Sequence, residues 1–242
     1  MKFEVDVKGF LKVIKNYKID NSLYFTVEKE KIKIKNLDFK QGLGVLQGQI
    51  KQIQTNCDSL IKFKVESEDL INKLENFKQG TVYFFINGSI LTMKNEDSSL
   101  EYKIGCDTSG RSVRYCDIQI IQDFTPNISF LLQATDCVKY FKLVSTVDKL
   151  LLFRFFSENK NLIQLVSKKI TSIGTQEIKD PLEFKLDLDD TIKEHEVYYS
   201  DGIISNFFKE KSLIKFQFDD QYLVISRVDP LLSDFRIYLP LK

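Results

Sequence analysis

The residues best suited to chemistry are a single histidine and the acidic run around it. His195 is the only histidine, so neither a metal site with two histidines nor a histidine pair can form. A Ser-His-Asp triad would need partners that the spacing does not indicate. The carboxylates that could together hold Mg²⁺ are Asp187, Asp189, Asp190, Glu194 and Glu196. We favour a solvated surface loop for this run, so no catalytic residue, metal or cofactor is predicted.

Glycines and cysteines also give no reactive motif. Gly42, Gly44 and Gly48 precede no helix, so they are not a dinucleotide-binding fingerprint and instead indicate close backbone approach or a bulge. The cysteines lie far apart without a C-x-x-C pair, which favours free thiols in a reducing compartment over disulfides or zinc. They are Cys57, Cys106, Cys116 and Cys137.

Lysines form the clearest charged pattern. A predicted helix over residues 8–18 carries Lys8, Lys12 and Lys15 opposite an apolar side that contains Phe10 and Ile14, so these lysines could meet phosphates. A solvated helix surface is the alternative. The later predicted helices mix lysines with acids, and their lysines are Lys73 and Lys78, Lys139 and Lys142, and Lys209 and Lys211.

These helices belong to a repeated arrangement of strand, helix and three strands. Predicted helices begin near residues 8, 67, 134 and 201, and each is followed by alternating apolar and polar residues typical of hairpins. The strongest hairpin signal is Asn87-Gly88. Ser67 is the predicted N-cap of the second helix and Gly80 its end. Because one copy cannot bury its own apolar faces, the copies must lie side by side.

Composition agrees with a sheet-rich, ordered protein. The 242 residues include 20 Phe, 10 Tyr and only 4 Pro, with a net charge of +1. Periodicity fails between residues 107 and 127, which we interpret as a linker between domains at 1–106 and 128–242. The N-terminus shows no secretory signal and no window is long enough to cross a membrane. We therefore expect an intracellular, reducing location and no membrane partner.

Three segments resemble DNA sliding clamps of the proliferating cell nuclear antigen type. Cys137-Val-Lys-Tyr-Phe-Lys-Leu-Val is similar to that family's third inner helix, and Asn206-Phe-Phe-Lys to its fourth. Tyr238-Leu-Pro-Leu-Lys resembles the family's terminal strand and tail. The resemblance implies an α+β DNA clamp fold: two similar domains, each with two βαβββ repeats, and helices on one face of antiparallel sheets.

The resemblance also implies a function in DNA replication or repair. It predicts a processivity factor that encircles double-stranded DNA as a homotrimeric ring without sequence preference. A clamp loader would open the ring, and the ring would tether DNA polymerase and other clamp-binding peptides. Catalysis is not implied. The location would be the nucleus in a eukaryote, and otherwise the cytoplasm or a viral replication site.

Three sets of residues follow from the resemblance. The DNA-binding set is Lys8, Lys12, Lys15, Lys73, Lys78, Lys139, Lys142, Lys209 and Lys211. The partner-peptide pocket is Leu37, Gln41, Ile118, Ile120, Tyr222, Pro240 and Leu241. The subunit interface pairs 90–94 with 171–178 and includes Ile90, Leu91, Thr92, Met93, Thr175 and Glu177.

Two alternatives remain open at this point. The mixed charges of the later helices favour a subunit of a heteromeric checkpoint-type clamp or a clamp-like transcription accessory factor. An enzyme or small-ligand binder on an unrelated sheet-rich fold would need His195 and the 187–196 carboxylates in one deep pocket.

Overall fold

The computed structural model describes residues 2–16, 21–29, 31–38, 44–50, 60–117, 124–135, 137–138, 150–155, 162–171, 174–177, 182–185, 195–198, 212–227 and 232–241. The chain forms two compact units. Unit 1 contains Met1–Asp38, Val45–Ile120 and Val228–Phe235, and unit 2 contains Phe39–Gly44, Ile121–Arg227 and Arg236–Lys242. The chain passes from 120 in unit 1 to 121 in unit 2, inside the segment interpreted as a linker.

Unit 1 contains two copies of the strand, helix and three-strand arrangement. The first copy is β1 (Lys2–Asp6), α1 (Val7–Asn16), β2 (Ser22–Glu28), β3 (Lys31–Asp38) and β4 (Gly44–Ile50). The second is β5 (Ile61–Glu66), α2 (Ser67–Glu75), β6 (Thr81–Asn87), β7 (Ile90–Asn95) and β8 (Glu101–Asp107). Alternation of apolar and polar residues produces these strands. In β5, for example, Ile61, Phe63 and Val65 are buried.

Each copy in unit 1 contributes its first strand to the sheet of the other copy. β1 pairs antiparallel with β6, and β5 pairs antiparallel with β2. The strands consequently run in the order β1-β6-β7-β8-β5-β2-β3-β4. Neither copy can complete its sheet alone, which is the physical reason for the copies to occur in pairs.

Phenylalanines fill the space between the sheet and the helices of unit 1. Phe3 stacks on Phe84 with ring centroids 4.7 Å apart, and Phe25 stacks on Phe63 at 5.0 Å. Phe10 of α1 contacts the rings of Phe25 and Phe84 at 6.0 and 5.7 Å. Because burial of one such side chain contributes about 1.5–3 kcal/mol, this cluster fixes α1 on the sheet.

The start of α2 differs from the sequence prediction. Glu66 is the N-cap, without a side-chain capping hydrogen bond, and Ser67 is the first helical residue. The backbone N–H of Ser67 donates to the carbonyl of Asn21 at 2.7 Å. The Ser67 hydroxyl oxygen is buried without a hydrogen-bond partner in the part of the chain that the structure describes. Ser67 as N-cap was wrong because this long-range backbone bond replaces a local cap.

An additional helix, α3 (Gly110–Asp117), lies in the segment where the sequence shows no periodicity. Its Tyr115 ring contacts Tyr24 of β2, whereas the next residue along β2, Phe25, faces α1. Since successive side chains of a strand point to opposite faces, α3 covers the side of the sheet that α1 does not. α1 contacts α2, so these two repeat helices share the other side, as the sequence predicts.

The hairpin of β6 and β7 confirms the strongest local signal, one residue later than predicted. Asn87 pairs with Ile90, so Gly88 and Ser89 form the turn. Gly88 has a φ of +58°, which suits the first position of a type II′ turn, where glycine is preferred.

Gly88→Ala is expected to lower the free energy of unfolding by about 1 kcal/mol, because a Cβ disfavours this φ. A Cβ would meet no atom within 4 Å, so the cost is conformational. Urea unfolding measures it. Gly105→Ala is the matched control: that site is equally open, and the change is expected to be neutral or stabilising. Equal destabilisation by both variants would contradict the turn assignment.

Unit 2 shows the same exchange of first strands. β9 (Ile128–Gln133) pairs with β15 (Leu213–Phe218), and β14 (His195–Tyr198) pairs with β10 (Leu150–Phe155). The strand orders are β9-β15-β16-β17 and β14-β10-β11-β12, with β13 also pairing with β11. The remaining strands are β11 (Leu162–Thr171), β12 (Gly174–Glu177), β13 (Leu182–Lys185), β16 (Tyr222–Arg227) and β17 (Leu232–Pro240).

The predicted third helix begins after β9. Residues 134, 135, 137 and 138 are helical, and Ala134 and Cys137 are buried. The rest of this predicted helix and the fourth predicted helix lie outside the described residues. Cys106, Cys116 and Cys137 are buried free thiols, as the sequence predicts, and Cys57 lies outside the described part.

Candidate nucleic-acid interface

The start of α1 is fixed by a side-chain cap and by a contact with the turn after α2. The Asp6 carboxylate accepts a hydrogen bond from the Gly9 backbone N–H at 2.7 Å. The backbone N–H of Val7 donates to the carbonyl of Gly80 at 3.0 Å. A carboxylate at this end also interacts favourably with the helix dipole. Together these bonds set the rotation of α1 about its own axis.

That rotation directs three lysines to solvent. Phe10 and Ile14 of α1 are buried against the sheet, while Lys8, Lys12 and Lys15 are exposed. Their spacings of four and three residues place them on one side of the helix, opposite the buried Phe10 and Ile14 side chains. We call Lys8, Lys12 and Lys15 the α1 lysine stripe.

Helix α2 is acidic by comparison. One lysine against three carboxylates gives Ser67–Glu75 a net charge of −2. Glu75 forms an ion pair with Lys15 of the stripe at 2.8 Å. Lys73 lies half-buried with its ammonium 5.7 Å from the Tyr102 ring centroid, and Lys78 is exposed beyond the helix end with a φ of +58°. Of the predicted DNA-binding lysines of unit 1, Lys15 is therefore paired with a carboxylate and Lys73 lies over an aromatic ring.

Glu75→Gln is expected to strengthen binding to duplex DNA by about threefold, because it frees Lys15 and removes a negative charge from the same surface. Fluorescence anisotropy with a labelled duplex at fixed salt measures the dissociation constant. Glu4→Gln is the matched control, since Glu4 lies on β1 beside Phe3 and Val5, which face the core, and so points to the other side of the sheet. Equal gains from both variants would contradict a specific role for Glu75.

Four predicted DNA-binding lysines belong to the third and fourth predicted helices. Lys139, Lys142, Lys209 and Lys211 lie outside the described residues, so their placement stays a prediction.

The predicted peptide pocket is only partly brought together. In unit 2, Tyr222 pairs with Pro240, and the Leu241 backbone N–H donates to the Gln221 carbonyl at 2.7 Å. Tyr222, Pro240 and Leu241 are half-buried and thus accessible. Leu37 is 1% exposed and belongs to the core of unit 1, so its side chain is not available to a peptide in this structure. Gln41, Ile118 and Ile120 lie outside the described residues.

The subunit-interface prediction needs a correction on one side. β7, with Ile90, Leu91, Thr92 and Met93, pairs with β6 on one edge and β8 on the other, so it is not an edge strand. Leu91 and Met93 are fully buried. The prediction was wrong because the pairing came from the resemblance, while the sequence pattern identifies β7 as a strand without identifying its neighbours.

The accessible edge in unit 1 belongs to β8. β8 pairs with β5 only through Cys106 and Asp107. The Cys106 N–H donates to the Ser89 carbonyl, and the Leu100 carbonyl accepts from the Asn95 N–H. The backbone N–H and C=O groups of the even-numbered residues of β8 therefore point toward β7. The backbone groups of residues 101, 103 and 105 consequently point away from β7. We call them the β8 edge groups.

In unit 2, β12 is the terminal strand of its order among the described strands. Thr175 and Glu177 lie on β12 and pair with β11 on its other edge. Their assignment to a subunit interface stays a prediction.

Enzymatic chemistry finds little support in the described part of the chain. No group of three or more histidine, cysteine, aspartate or glutamate residues there could hold a metal ion. His195 and Glu196 lie in β14, whereas 187–194 lie outside the described residues. A groove on the paired strands β3 and β4 is lined by Lys33, Ile34, Lys35, Gln47, Gly48 and Gln49, without an acid–base pair. No described helix is long and apolar enough to span a membrane.

Sequence reasoning missed α3. Its signals are short: Asp107 and Ser109 precede the helix, and only Ser112 and Cys116 are buried along it. Two buried positions one turn apart form too brief a pattern to be separated from a loop.

The exchange of first strands between paired copies, with the repeat helices on one side of the sheet, defines a DNA clamp fold. No protein-family model and no curated protein matches the chain. It is similar to DNA polymerase III subunit beta from Borrelia burgdorferi, with a TM-score of 0.76 and 13% identity, over 100% of this chain and 65% of that chain. It is also similar to the Helicobacter pylori beta clamp, with a TM-score of 0.68 and 14% identity, over 100% of this chain and 64% of that chain.

These similarities show that the chain has the fold of DNA sliding clamps. A second Helicobacter pylori beta clamp structure gives the same result, with a TM-score of 0.68 and 13% identity. The chain spans 65% or less of the length of these proteins.

Proposed function

We propose that this chain is a subunit of a DNA sliding clamp, a processivity factor that encircles duplex DNA and tethers replication and repair enzymes to it. The observation that carries the proposal is the α1 lysine stripe, which lies on the helix side of a clamp fold and faces away from the sheet. The similarity of the whole chain to beta clamps supports it.

The charge pattern suits a protein that must slide. Lysines contact phosphates without reading bases, and the stripe offers three of them on one helix. Glu75 offsets Lys15, and the rest of α2 is acidic, so the contact with DNA stays weak. In a ring, retention on DNA comes from topology, and weak contacts then permit movement along the duplex.

The proposed ring closes through strand edges. The β8 edge groups of one subunit would pair with β12 of the next, a head-to-tail contact that closes when the rotation between subunits suits. Two clamp units per chain favour a homotrimer, and a clamp loader would open it. The proposal assigns no catalysis to the chain and locates it where DNA is replicated inside the cell.

Partner proteins would bind on the outer surface of the ring. The half-buried apolar side chains of Tyr222, Pro240 and Leu241 provide part of a site for clamp-binding peptides of a DNA polymerase or other enzymes. The assignment of Gln41, Ile118 and Ile120 to this site stays a prediction.

Two measurements test the proposed ring: the mass of the native oligomer, and its retention on circular compared with linear DNA. Native mass spectrometry is expected to show a closed oligomer, and the loaded protein is expected to remain on circular DNA at moderate salt and to leave after linearisation. A protein that stays monomeric at micromolar concentration and leaves circular and linear DNA equally fast is not a self-sufficient ring.

The acidic α2 favours one second candidate, a subunit of a heteromeric checkpoint-type clamp or a clamp-like transcription accessory factor. Three carboxylates on a helix of the DNA-facing side would be compensated by more basic helices of other subunits. Co-purification of a related chain in fixed stoichiometry from the native source would favour this candidate over a homomeric ring.

A further inference from the structure

The outer side of α3 carries two arginines that the DNA-facing surface does not use. Arg111 and Arg114 lie three residues apart and are exposed, while Ser112 and Cys116 on the other side of the helix are buried. Neither arginine forms an ion pair or hydrogen bond within the part of the chain that the structure describes.

The N-terminus of α3 is held firmly. The Asp107 carboxylate accepts a hydrogen bond from the Ser112 hydroxyl at 2.6 Å and another from the Ser109 backbone N–H at 2.8 Å. These bonds, led by the one from Ser112, lower the pKa of Asp107. The first turn of α3 is therefore anchored to the end of β8.

The C-terminus of α3 is held by two lysines of the sheet. The Lys35 ammonium donates to the Cys116 carbonyl at 2.6 Å, and Lys62 forms an ion pair with Asp117 at 2.6 Å. Burial lowers the pKa of Lys35 and raises that of the Cys116 thiol, which is packed against the sheet. Both ends of α3 are thus fixed, and its outer side is a preorganised surface.

The two arginines provide positive charge that no neighbouring group on the outer side of α3 neutralises in the described part of the chain. The neighbouring lysines have partners: Lys62 pairs with Asp117, and Lys64 pairs with Glu66 at 3.3 Å. Asp107 is occupied by its hydrogen bonds to α3. Two guanidinium groups on one side of a fixed helix suit bidentate recognition of carboxylates.

We propose that the outer side of α3 binds an acidic segment of a partner protein, with Arg111 and Arg114 each engaging a carboxylate. The half-buried Val113 and Tyr115 beside them offer apolar contacts. The inference rests on the proposed clamp function, for which it supplies the chemistry of one class of tethered partner.

A protein partner fits this surface better than nucleic acid does. The sheet separates α3 from the α1 lysine stripe, so a duplex on the stripe does not reach the arginines. Two charges alone release only about two counterions, whereas proteins that hold nucleic acid make about 6–10 phosphate contacts.

Fluorescence anisotropy of the full chain with three labelled probes tests the proposal. The probes are the peptide Glu-Glu-Leu-Phe-Glu-Glu, the same peptide with glutamine for every glutamate, and a short oligothymidylate. The glutamate peptide is expected to bind best, and the double variant Arg111→Gln with Arg114→Gln is expected to weaken it at least about tenfold. The corresponding double change to lysine keeps the charge and is expected to weaken it only about threefold.

Equal binding of the two peptides overturns the proposal, as does oligothymidylate binding that depends on the arginines while the acidic peptide does not bind. Affinity for duplex DNA separates this inference from the clamp proposal. The arginine variants are expected to keep that affinity, whereas Lys8→Glu with Lys12→Glu is expected to weaken it at least about tenfold and to keep peptide binding. Loss of peptide binding in that lysine variant as well would mean that the acidic peptide binds the α1 lysine stripe and not α3, and would overturn the inference.

Discussion

Lys103→Pro is expected to convert the proposed ring to monomers at micromolar concentration. Residue 103 is one of the β8 edge groups, so its N–H points away from β7 and would donate to a strand of the next subunit. Proline removes that donor and adds a ring at the edge, and prolines are tolerated at strand edges because no bond within the subunit is lost. Native mass spectrometry and retention on circular DNA measure the result.

Lys103→Ala is the matched control for the proline variant. It removes the same exposed side chain, and with it the ion pair to Glu101 at 3.1 Å, but keeps the edge N–H. We expect it to remain oligomeric. Urea unfolding of both variants shows whether unit 1 is intact. A folded Lys103→Pro variant with the oligomeric mass of the unchanged protein would exclude the β8 edge as the assembly contact.

Reversing the charge of Lys8 and Lys12 together is expected to weaken binding of the assembled protein to duplex DNA by at least about tenfold at moderate salt. Both lysines are exposed on the side of α1 that faces away from the buried Phe10. The dependence of log affinity on log salt is also expected to become shallower, by about 0.9 for each lost phosphate contact. Titrations at several salt concentrations give both quantities.

Arg111→Glu with Arg114→Glu is the matched control for the lysine reversal. It changes the net charge by the same amount in the same unit, but on the opposite side of the sheet. Only the lysine variant is expected to lose DNA affinity. A similar loss in both variants would mean that overall charge, and not the α1 lysine stripe, governs the interaction.

Local pattern predicted the elements of this fold well, for physical reasons. Alternation in β5 produces Ile61, Phe63 and Val65 on one face, and Asn87-Gly88 marks a turn because glycine adopts the required φ. The fourfold repeat of strand, helix and three strands was also readable, and with the resemblance it led to the clamp fold that the structural similarities show.

Pairing between distant segments was harder to predict. The sequence identified β7 but not its neighbours, so Ile90–Met93 was assigned to an edge that β8 occupies. Leu37 is an apolar residue of the kind that lines a peptide pocket, yet the structure shows that its side chain is buried in the core. The backbone hydrogen bond from Ser67 to Asn21 replaced the predicted cap. In each case a contact distant in sequence decided the outcome.

The crossed first strands of each pair have a mechanical consequence. A copy made without the other copy of its unit would leave β1 without a partner strand, or β5 with only its two-residue pairing to β8. The same copy would also expose an unpaired strand edge of matching register. Two complementary fragments would restore the missing strand pairs by exchanging their first strands. Separating one copy from an intact unit, in contrast, must break both strand pairings at the same time. Any opening of the proposed ring should therefore occur at contacts that are not interlocked in this way.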